Sequence, residues 1–160
     1  MALDFATVTI TGTWQQSKTN TGFSPTIQGP DAISQSTALT VGASNANSLY
    51  AATGTLAAAA TLTIDLQSFT DQLGQAITMT RAYSIIVKTT GAALKVEPGA
   101  SNGFVWFFAG TTPSITIPAD GAMGFVQPTA ATVDATHKTI KLTNVGAVSL
   151  TYNISIIGGP

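Results

Sequence analysis

The chain has 160 residues, of which six are Lys or Arg and seven are Asp or Glu, so its formal net charge is −1. Charged residues make up 8% of the chain, against about 25% in an ordinary soluble domain. This composition argues against a nucleic-acid partner, which needs a basic surface, and against electrostatic attachment to a membrane. The chain has no cysteine, so disulfides and thiolate metal ligands are excluded.

The composition predicts a surface covered mainly by Thr, Ser, Asn, Gln and Ala. Near-zero net charge favours association over mutual repulsion. We therefore expect a homo-oligomer, and a soluble monomer with a neutral surface is the alternative. The first residues, MALDF, contain neither a basic region nor an apolar stretch. This start predicts synthesis in a cytoplasm without a cleaved export signal.

The N-terminal quarter begins with a strand signal. In residues 5–14, Val8 and Ile10 alternate with threonines, which predicts a first β-strand. Residues 15–37 are rich in Gly, Pro, Ser and Thr and predict a long loop or an extended arm. Structureless segments of about 20 residues are unusual in compact domains and tend to be functional. We expect either an arm that lies on a neighbouring molecule or a surface loop that holds a short strand.

The middle of the chain predicts three further strands. The segments 38–41 and 59–66 carry short β patterns, and the second follows an alanine-rich stretch. A connection of residues 67–76 has a capping residue and a glycine, which allow one helical turn. Residues 77–89 then form a long strand pattern. Both faces are apolar between Tyr83 and Val87, which predicts a central strand buried on two sides.

The C-terminal half ends in two strand patterns of period two. Residues 139–143 and 148–156 each alternate apolar and polar side chains, and a short Gly-containing link joins them, so we expect a closing β-hairpin. Before it, the pair Asp120-Gly121 predicts a turn between the strands 114–117 and 122–126. Residues 129–136 are polar and predict a loop.

Short strands separated by Gly, Pro and Asn turns, without a long helix signal, predict an all-β protein. We expect one jelly-roll-like β-sandwich of about eight to ten strands, with an immunoglobulin-like sandwich as the alternative. Residues 1–37 would form the N-terminal strand and arm, and residues 38–160 the sandwich body. The predicted apolar layers contain Ile64, Ile85, Val87, Trp106, Leu150, Ile154 and Ile156.

No pattern of residues predicts an active site. The chain has one histidine, His137, in a polar loop after Asp134, and no serine stands in a nucleophile motif. Asp65 and Asp71 flank one connection and offer the best position for a structural cation, but no calcium-loop spacing is present. We expect no enzymatic activity, no cofactor and no metal site.

The aromatic residues are the best candidates for an interface. Trp14, Phe23, Trp106 and Phe108 are the candidate interface residues. In a strand of residues 103–109, Phe104, Trp106 and Phe108 would share one face and Phe107 would take the other. Such a run is more typical of a core or subunit interface than of a sugar-stacking platform, and the glycan-binding module remains the alternative.

Two segments resemble small structural proteins of tailed bacteriophages. Residues 66–88, LQSFTDQLGQAITMTRAYSIIVK, resemble a segment of these proteins in which a Thr-Asp-x-x-Gly stretch precedes an Arg and an apolar strand. The ending TYNISIIG, residues 151–158, is similar to their Tyr-x-Ile-x-Ile-Ile-Gly close. The turns VEPG at 96–99 and PADG at 118–121 fit the same pattern, so that the resemblance covers residues 56–158.

The resemblance implies a virion component, either an auxiliary head protein of the decoration or cement type or a fibre component. It implies a place in the virion, a homotrimer as the oligomer, and the major capsid protein or other virion proteins as partners. It brings no catalytic residue to this chain.

Overall fold

The structure is a computed structural model that describes residues 6–12, 15–17, 26–28, 33–39, 45–70, 74–108 and 113–160. Within these ranges the regular structure is β-strand throughout, without a helix, as the sequence predicts. The strands are β1 (Ala6–Gly12), β2 (Gln15–Ser17), β3 (Thr26–Gln28), β4 (Ile33–Leu39), β5 (Ser48–Leu56), β6 (Thr61–Asp65), β7 (Phe69–Thr70), β8 (Ala76–Ile77), β9 (Arg81–Thr90), β10 (Leu94–Pro98), β11 (Ile115–Ile117), β12 (Ala122–Thr132), β13 (Thr139–Asn144) and β14 (Leu150–Gly159).

Two four-stranded antiparallel sheets form the body of the described chain. Sheet A has the strand order β12-β9-β14-β5, and sheet B has the order β11-β10-β13-β6. The pairs β5 with β14, β6 with β13, β9 with β12 and β10 with β11 are those of one long antiparallel ribbon folded back on itself. Rolling this ribbon adds the pairs β9 with β14 and β10 with β13. This arrangement is a jelly roll and confirms the predicted fold class, whereas an immunoglobulin-like sandwich has a different strand order.

The core lies between the two sheets and follows the period of two. Along β14, Leu150, Tyr152, Ile154 and Ile156 are buried, and the residues between them face outward. Antiparallel pairing places Ile85 opposite Ile156 in the same apolar layer. The predicted layer residues Ile64, Ile85, Val87, Leu150, Ile154 and Ile156 are all buried, and Trp106 packs against them half-buried.

The predicted closing hairpin is wrong, because β13 lies in sheet B and β14 lies in sheet A. The link of residues 145–149 therefore crosses between the sheets, a distance of about 10 Å. The link at Asp120-Gly121 likewise joins β11 of sheet B to β12 of sheet A. A short Gly-containing link between two period-two strands fits a hairpin and an inter-sheet crossing equally well, and local sequence does not distinguish them.

Four such crossings meet at one end of the sandwich, which we call the arch end: residues 57–60, 91–93, 118–121 and 145–149. The backbone N–H of Val145 donates to the carbonyl of Ala93 at 3.1 Å, and that of Asn144 donates to the carbonyl of Ala60 at 3.0 Å. The N–H of Gly91 donates to the carboxylate of Asp120 at 3.0 Å. These bonds hold the four links together.

Several predicted strand boundaries need correction. β12 runs on to Thr132, through residues predicted as a loop, although its pairing with β9 is irregular between Val126 and Ala131. β6 begins at Thr61, because Ala59 has a φ of 61° and belongs to the preceding turn. Residues 103–108, predicted as a strand, form turns and irregular backbone. The predicted ends of the first strand and of the strand 38–41 lie outside the described residues.

The N-terminal strands form a ribbon separate from the two main sheets. β1 pairs with β4 from Ala6 opposite Leu39, and β2 pairs with β3 from Gln15 opposite Gln28. We call β1 to β4 the N-terminal ribbon. Part of the segment 15–37 is therefore strand. The division of the chain at residues 37 and 38 stays a prediction, and β4 runs across it.

Leu39 connects the ribbon to the body. It packs with the buried residues Ala46 and Tyr83, and the half-buried Val126, Ala130 and Ile157 complete this second cluster. Ile157 and Val126 both flank Ser84 in the pairing of sheet A, so the cluster lies on the outer face of that sheet. β4 itself packs against β12.

Candidate interaction surface

The outer face of sheet A is the most distinctive surface in the described structure. Its side chains alternate with the core residues, and the strand registers align them in rows across the sheet. One row joins Thr53, Asn153, Lys88 and Ala122, and the next joins Ala51, Ser155, Ile86 and Gly124. A third row joins Thr55, Thr151 and Thr90. We call these three rows the neutral face.

Most side chains of the neutral face are small. Ile86 is its largest apolar side chain and is 41% exposed. Thr53 donates a hydrogen bond of 2.6 Å from its hydroxyl to the Asn153 side chain. Lys88 is its one charged residue among those the structure describes. Such a face can be covered without leaving many charges buried and unpaired, which would be costly.

The outer face of sheet B has the opposite character. The Glu97 carboxylate pairs with the Lys95 amine at 2.9 Å and with the Lys141 amine at 2.8 Å. Burial acts to raise the pKa of Glu97, but hydrogen bonds and charge from Lys141 and Lys95 outweigh it, so this pKa is below its ordinary value. Four charged residues lie on the strands of sheet B, Asp65, Lys95, Glu97 and Lys141, and two lie on those of sheet A, Arg81 and Lys88. We expect the outer face of sheet B to stay in contact with water.

The arch end extends the neutral character of sheet A. Within its four described links, Asp120 is the only charged residue, and its carboxylate accepts the Gly91 N–H. Val145 is 49% exposed and Val148 is 59% exposed. The alanines of residues 57–59 are also exposed. Exposed apolar residues that cluster in this way are more typical of contact surfaces than of a free protein surface.

The aromatic residues between 103 and 108 form a packed cluster and not the predicted strand. The N–H of Phe108 donates to the carbonyl of Val105 at 2.7 Å, which closes a turn. This turn brings Phe107 to the same side as Trp106, against the predicted alternation. The ring of Phe125 lies 5.1 Å from that of Trp106 and 5.0 Å from that of Phe107. The cluster caps the core beside β12.

Two of the four predicted interface residues lie in this cluster. Trp106 and Phe108 are half-buried and pack against the core. The indole N–H of Trp106 is buried and has no hydrogen-bond acceptor among the described residues. The ring therefore contributes to packing more than to an exposed stacking platform. Trp14 and Phe23 lie outside the described residues.

His137 and Asp134 are joined in one exposed loop. The Asp134 carboxylate accepts hydrogen bonds of 2.7 Å from the hydroxyl and the backbone N–H of Thr136. It also accepts the His137 N–H at 2.9 Å and lies 3.1 Å from its ring Nδ1. The Thr136 hydroxyl and N–H, with His137, lower the pKa of Asp134 to about 2. The Asp134 side chain thus accepts hydrogen bonds from the backbone of its own turn, as in an Asx-turn.

Asp65, the other acid singled out in the sequence, pairs with Lys138. Its carboxylate lies 2.8 Å from the lysine amine and accepts the Gln67 N–H at 2.8 Å. Asp71, its predicted partner at a cation site, lies outside the described residues. Among the residues described, no group of three His, Asp or Glu side chains is placed to hold a metal ion.

Sequence reasoning did not identify the neutral face. Each strand showed its Thr, Ser and Asn positions, but the face exists only because β5, β14, β9 and β12 lie side by side. The strand order decides this, and it is set by pairings between residues far apart in the chain. The low total charge of the chain indicated that an uncharged surface exists, but it did not indicate where on the fold that surface lies.

None of the described segments forms a helix of the length and apolarity that crossing a membrane requires. No protein-family model matches the chain, and no curated protein matches its sequence.

Proposed function

We propose that the chain is a structural virion protein of a tailed bacteriophage, most specifically an auxiliary capsid protein of the decoration or cement type. It binds the assembled shell and stabilises it, as a homo-oligomer, through contacts with the major capsid protein. No catalytic step belongs to this role. The protein would be made in the host cytoplasm and act in the virion.

The low charge of the neutral face carries this proposal. The neutral face has Lys88 as its one charge among the described residues, while Lys95, Glu97 and Lys141 lie on the opposite sheet. A protein that covers a lattice must bury one surface and leave another in water. Burying unpaired charges costs several kcal/mol each, so the surface with almost no charge is the one suited to be covered.

The fold and the sequence resemblance support the same class of function. Jelly rolls occur in viral capsid proteins, but also in lectins and cupins. The fold is therefore compatible with a capsid role but does not by itself assign one. The resemblance to phage structural proteins spans residues 56–158. This range includes the strands of the two main sheets except β5, of which it contains only Leu56, and the last residue of β14, Gly159. A fibre component would share these features and differ in copy number.

Linkage explains how such a protein stabilises a shell. A ligand that binds the assembled lattice and not the separated subunits shifts the equilibrium towards assembly. Symmetric repetition strengthens each weak contact, because an oligomer bound at one site is held close to the next. The role requires a rigid scaffold and a coverable surface, and the jelly roll with its neutral face offers both.

The test is to mix the purified protein with undecorated capsids and to measure co-sedimentation and the temperature at which the shells open. We expect binding and a higher opening temperature. Ile86→Glu places a charge in the neutral face and should weaken binding, whereas Thr116→Glu, an exposed residue of sheet B, should not. Absence of binding by the unaltered protein, or binding without a gain in heat resistance, would refute the stabilising role.

A further inference from the structure

Lys88 is the one lysine in the described part of the chain that forms no ion pair there. The other described lysines pair with carboxylates at 2.8 or 2.9 Å: Lys95 and Lys141 with Glu97, and Lys138 with Asp65. Lys88 is exposed and lies in the middle row of the neutral face, between Asn153 and Ala122. The charge of this face is therefore a lone amine, whereas sheet B carries its lysines in pairs.

A lone amine is stable in water but not in a covered interface. Water solvates Lys88 as long as the neutral face is exposed. A partner that covers the face removes this water, and an uncompensated buried charge strongly destabilises a complex. An ion pair with the partner removes most of that cost when hydrogen bonds accompany it. The position of Lys88 therefore indicates a partner that brings a negative group to it.

Asn153, the cross-strand neighbour of Lys88, offers a second hydrogen-bond donor. Its side-chain oxygen accepts a hydrogen bond of 2.6 Å from the Thr53 hydroxyl. That bond occupies the oxygen end of the amide, and the amide nitrogen has no acceptor among the described residues. Residues directly opposite each other in an antiparallel pair have Cβ atoms about 4.5–5.5 Å apart. An amine and an amide at this spacing suit the two oxygens of one carboxylate.

An open depression beside these two donors has the size of a side chain. Its volume is about 250 Å³, and its lining includes Ala51, Ile86 and Ser155 together with Lys88 and Asn153. Sites for small molecules usually have about 300–1,000 Å³, so this depression suits a side chain of a partner better than a free ligand. Ala51 and Ile86 offer apolar contact to the methylene groups of that side chain while its carboxylate meets the donors.

The acids in the described part of this chain already have partners within the chain. Asp65 and Glu97 form the ion pairs given above, Asp120 accepts the Gly91 N–H, and Asp134 accepts hydrogen bonds from Thr136 and His137. A second copy would bring one of these carboxylates to Lys88 only by weakening such a contact. A carboxylate on a different protein carries no such cost, which favours a different protein as the occupant of the neutral face.

We propose that the neutral face binds an Asp or Glu side chain of the shell protein that it covers. The carboxylate binds the Lys88 amine and the Asn153 amide, and the methylene groups enter the depression beside Ile86. This inference rests on the proposed function and names the partner's group at the same surface. Lys88 then sets specificity, because a partner surface without a carboxylate at this point would leave the amine buried and unpaired.

Lys88→Gln tests the contact, because coverage with and without a carboxylate predicts effects of opposite sign. The dissociation constant for undecorated capsids is measured by co-sedimentation. With a carboxylate at Lys88, the variant should bind about tenfold or more weakly, equivalent to about 1.4 kcal/mol, and Lys88→Arg should keep most of the affinity. Without one, removal of a buried unpaired charge should strengthen binding. Unchanged or tighter binding by Lys88→Gln would overturn the proposal.

Two further variants complete this measurement. Lys95→Gln makes the same change on sheet B, where Lys141 still pairs with Glu97, and is the matched control that should bind as the unaltered protein does. Asn153→Asp places a carboxylate beside Lys88 within the chain, and the Thr53 hydroxyl can still donate to it. This internal partner should weaken capsid binding as Lys88→Gln does. Unchanged binding by Asn153→Asp would contradict the role of the two donors.

Carbodiimide cross-linking of the bound complex identifies the occupant. The reagent joins an amine to a carboxylate in direct contact, and the pairs Lys95 with Glu97 and Lys138 with Asp65 are internal positive controls. We expect mass spectrometry to find Lys88 joined to an Asp or Glu of the shell protein, and no such product from Lys88→Arg. A product only with another copy of this chain, or none at Lys88 while the controls react, would overturn the proposal.

The outcomes also separate this inference from the proposed function. Capsids that bind the unaltered protein and the Lys88→Gln variant equally well would uphold a shell-binding role and overturn the carboxylate contact alone. Capsids that do not bind the unaltered protein would refute the proposed function, and the carboxylate contact with it.

Discussion

The side-chain amide of Asn144 donates a hydrogen bond of 3.0 Å to the backbone carbonyl of Leu56, 88 residues earlier in the chain. The same amide nitrogen donates to the carbonyls of Ala57 at 3.0 Å and Val148 at 2.8 Å, and the amide oxygen accepts the N–H of Gly146 at 2.9 Å. Asn144 is 1% exposed. One buried side chain therefore joins the crossing from β5 to β6 with the crossing from β13 to β14.

Asn144→Ala should destabilise the protein strongly. The substitution removes one buried and three part-buried hydrogen bonds at once, and a buried donor or acceptor left without a partner costs about 1–3 kcal/mol. We expect a loss of about 3 kcal/mol in the free energy of unfolding, measured by urea denaturation. Asn153→Ala, an exposed residue with a bond to Thr53, is the control and should cost less than about 1 kcal/mol. Equal losses would contradict the role given to Asn144.

Gly54→Ala should also destabilise the fold, for a steric reason. A Cβ at Gly54 would lie 2.5 Å from the hydroxyl oxygen and 2.8 Å from the adjacent ring carbon of Tyr152. Overpacking of this kind costs about 1–3 kcal/mol. Thr55→Ala, at the neighbouring exposed position, should have little effect on the urea midpoint. An unchanged midpoint for Gly54→Ala would show that the ring moves aside freely.

Trp106 should tolerate phenylalanine but not alanine. The indole N–H has no acceptor among the described residues, so Trp106→Phe removes a polar group without breaking a bond in this part of the structure. Trp106→Ala removes the ring that packs against Phe104 and Phe125, and such losses cost about 3–5 kcal/mol. We expect the phenylalanine variant to lose less than half as much stability in urea. Equal losses would indicate that the N–H has an important partner.

Asp134 should titrate well below an ordinary aspartate. Its pKa is about 2, against 3.8 in the absence of its partners. Because the folded pKa is the lower one, this group contributes stability above about pH 4 and loses it as the pH falls towards 2. An NMR titration of the side-chain carboxyl should show a midpoint near 2 and, in Thr136→Ala, a higher one. A midpoint near 3.8 in the unaltered protein would contradict the hydrogen bonds from Thr136.

The fold class could be predicted from the sequence because the alternation of buried and exposed side chains is a property of each strand by itself. The alternation from Leu150 to Ile156 identifies the buried face of β14 without knowledge of its partners. The pairing of strands is not local. β14 lies between β9 and β5, and nothing in residues 144–149 distinguishes a crossing to the other sheet from a hairpin turn.

The aromatic run shows a second limit of sequence reasoning. Phe104, Trp106, Phe107 and Phe108 have strand-forming side chains, but the chain turns at Val105 to Phe108 and packs the rings together. Burial in a common cluster outweighs the β propensity of each residue. The neutral face likewise depends on strand order, which is why its location was not foreseen although the low charge was.

The copy number of the protein in purified particles tests the central proposal most directly. Quantitative mass spectrometry of intact virions gives the ratio of this chain to the major capsid protein. The account predicts a fixed ratio that corresponds to occupation across the whole lattice. A few copies per particle would indicate a fibre component, and absence of the chain from purified particles would contradict the proposed function.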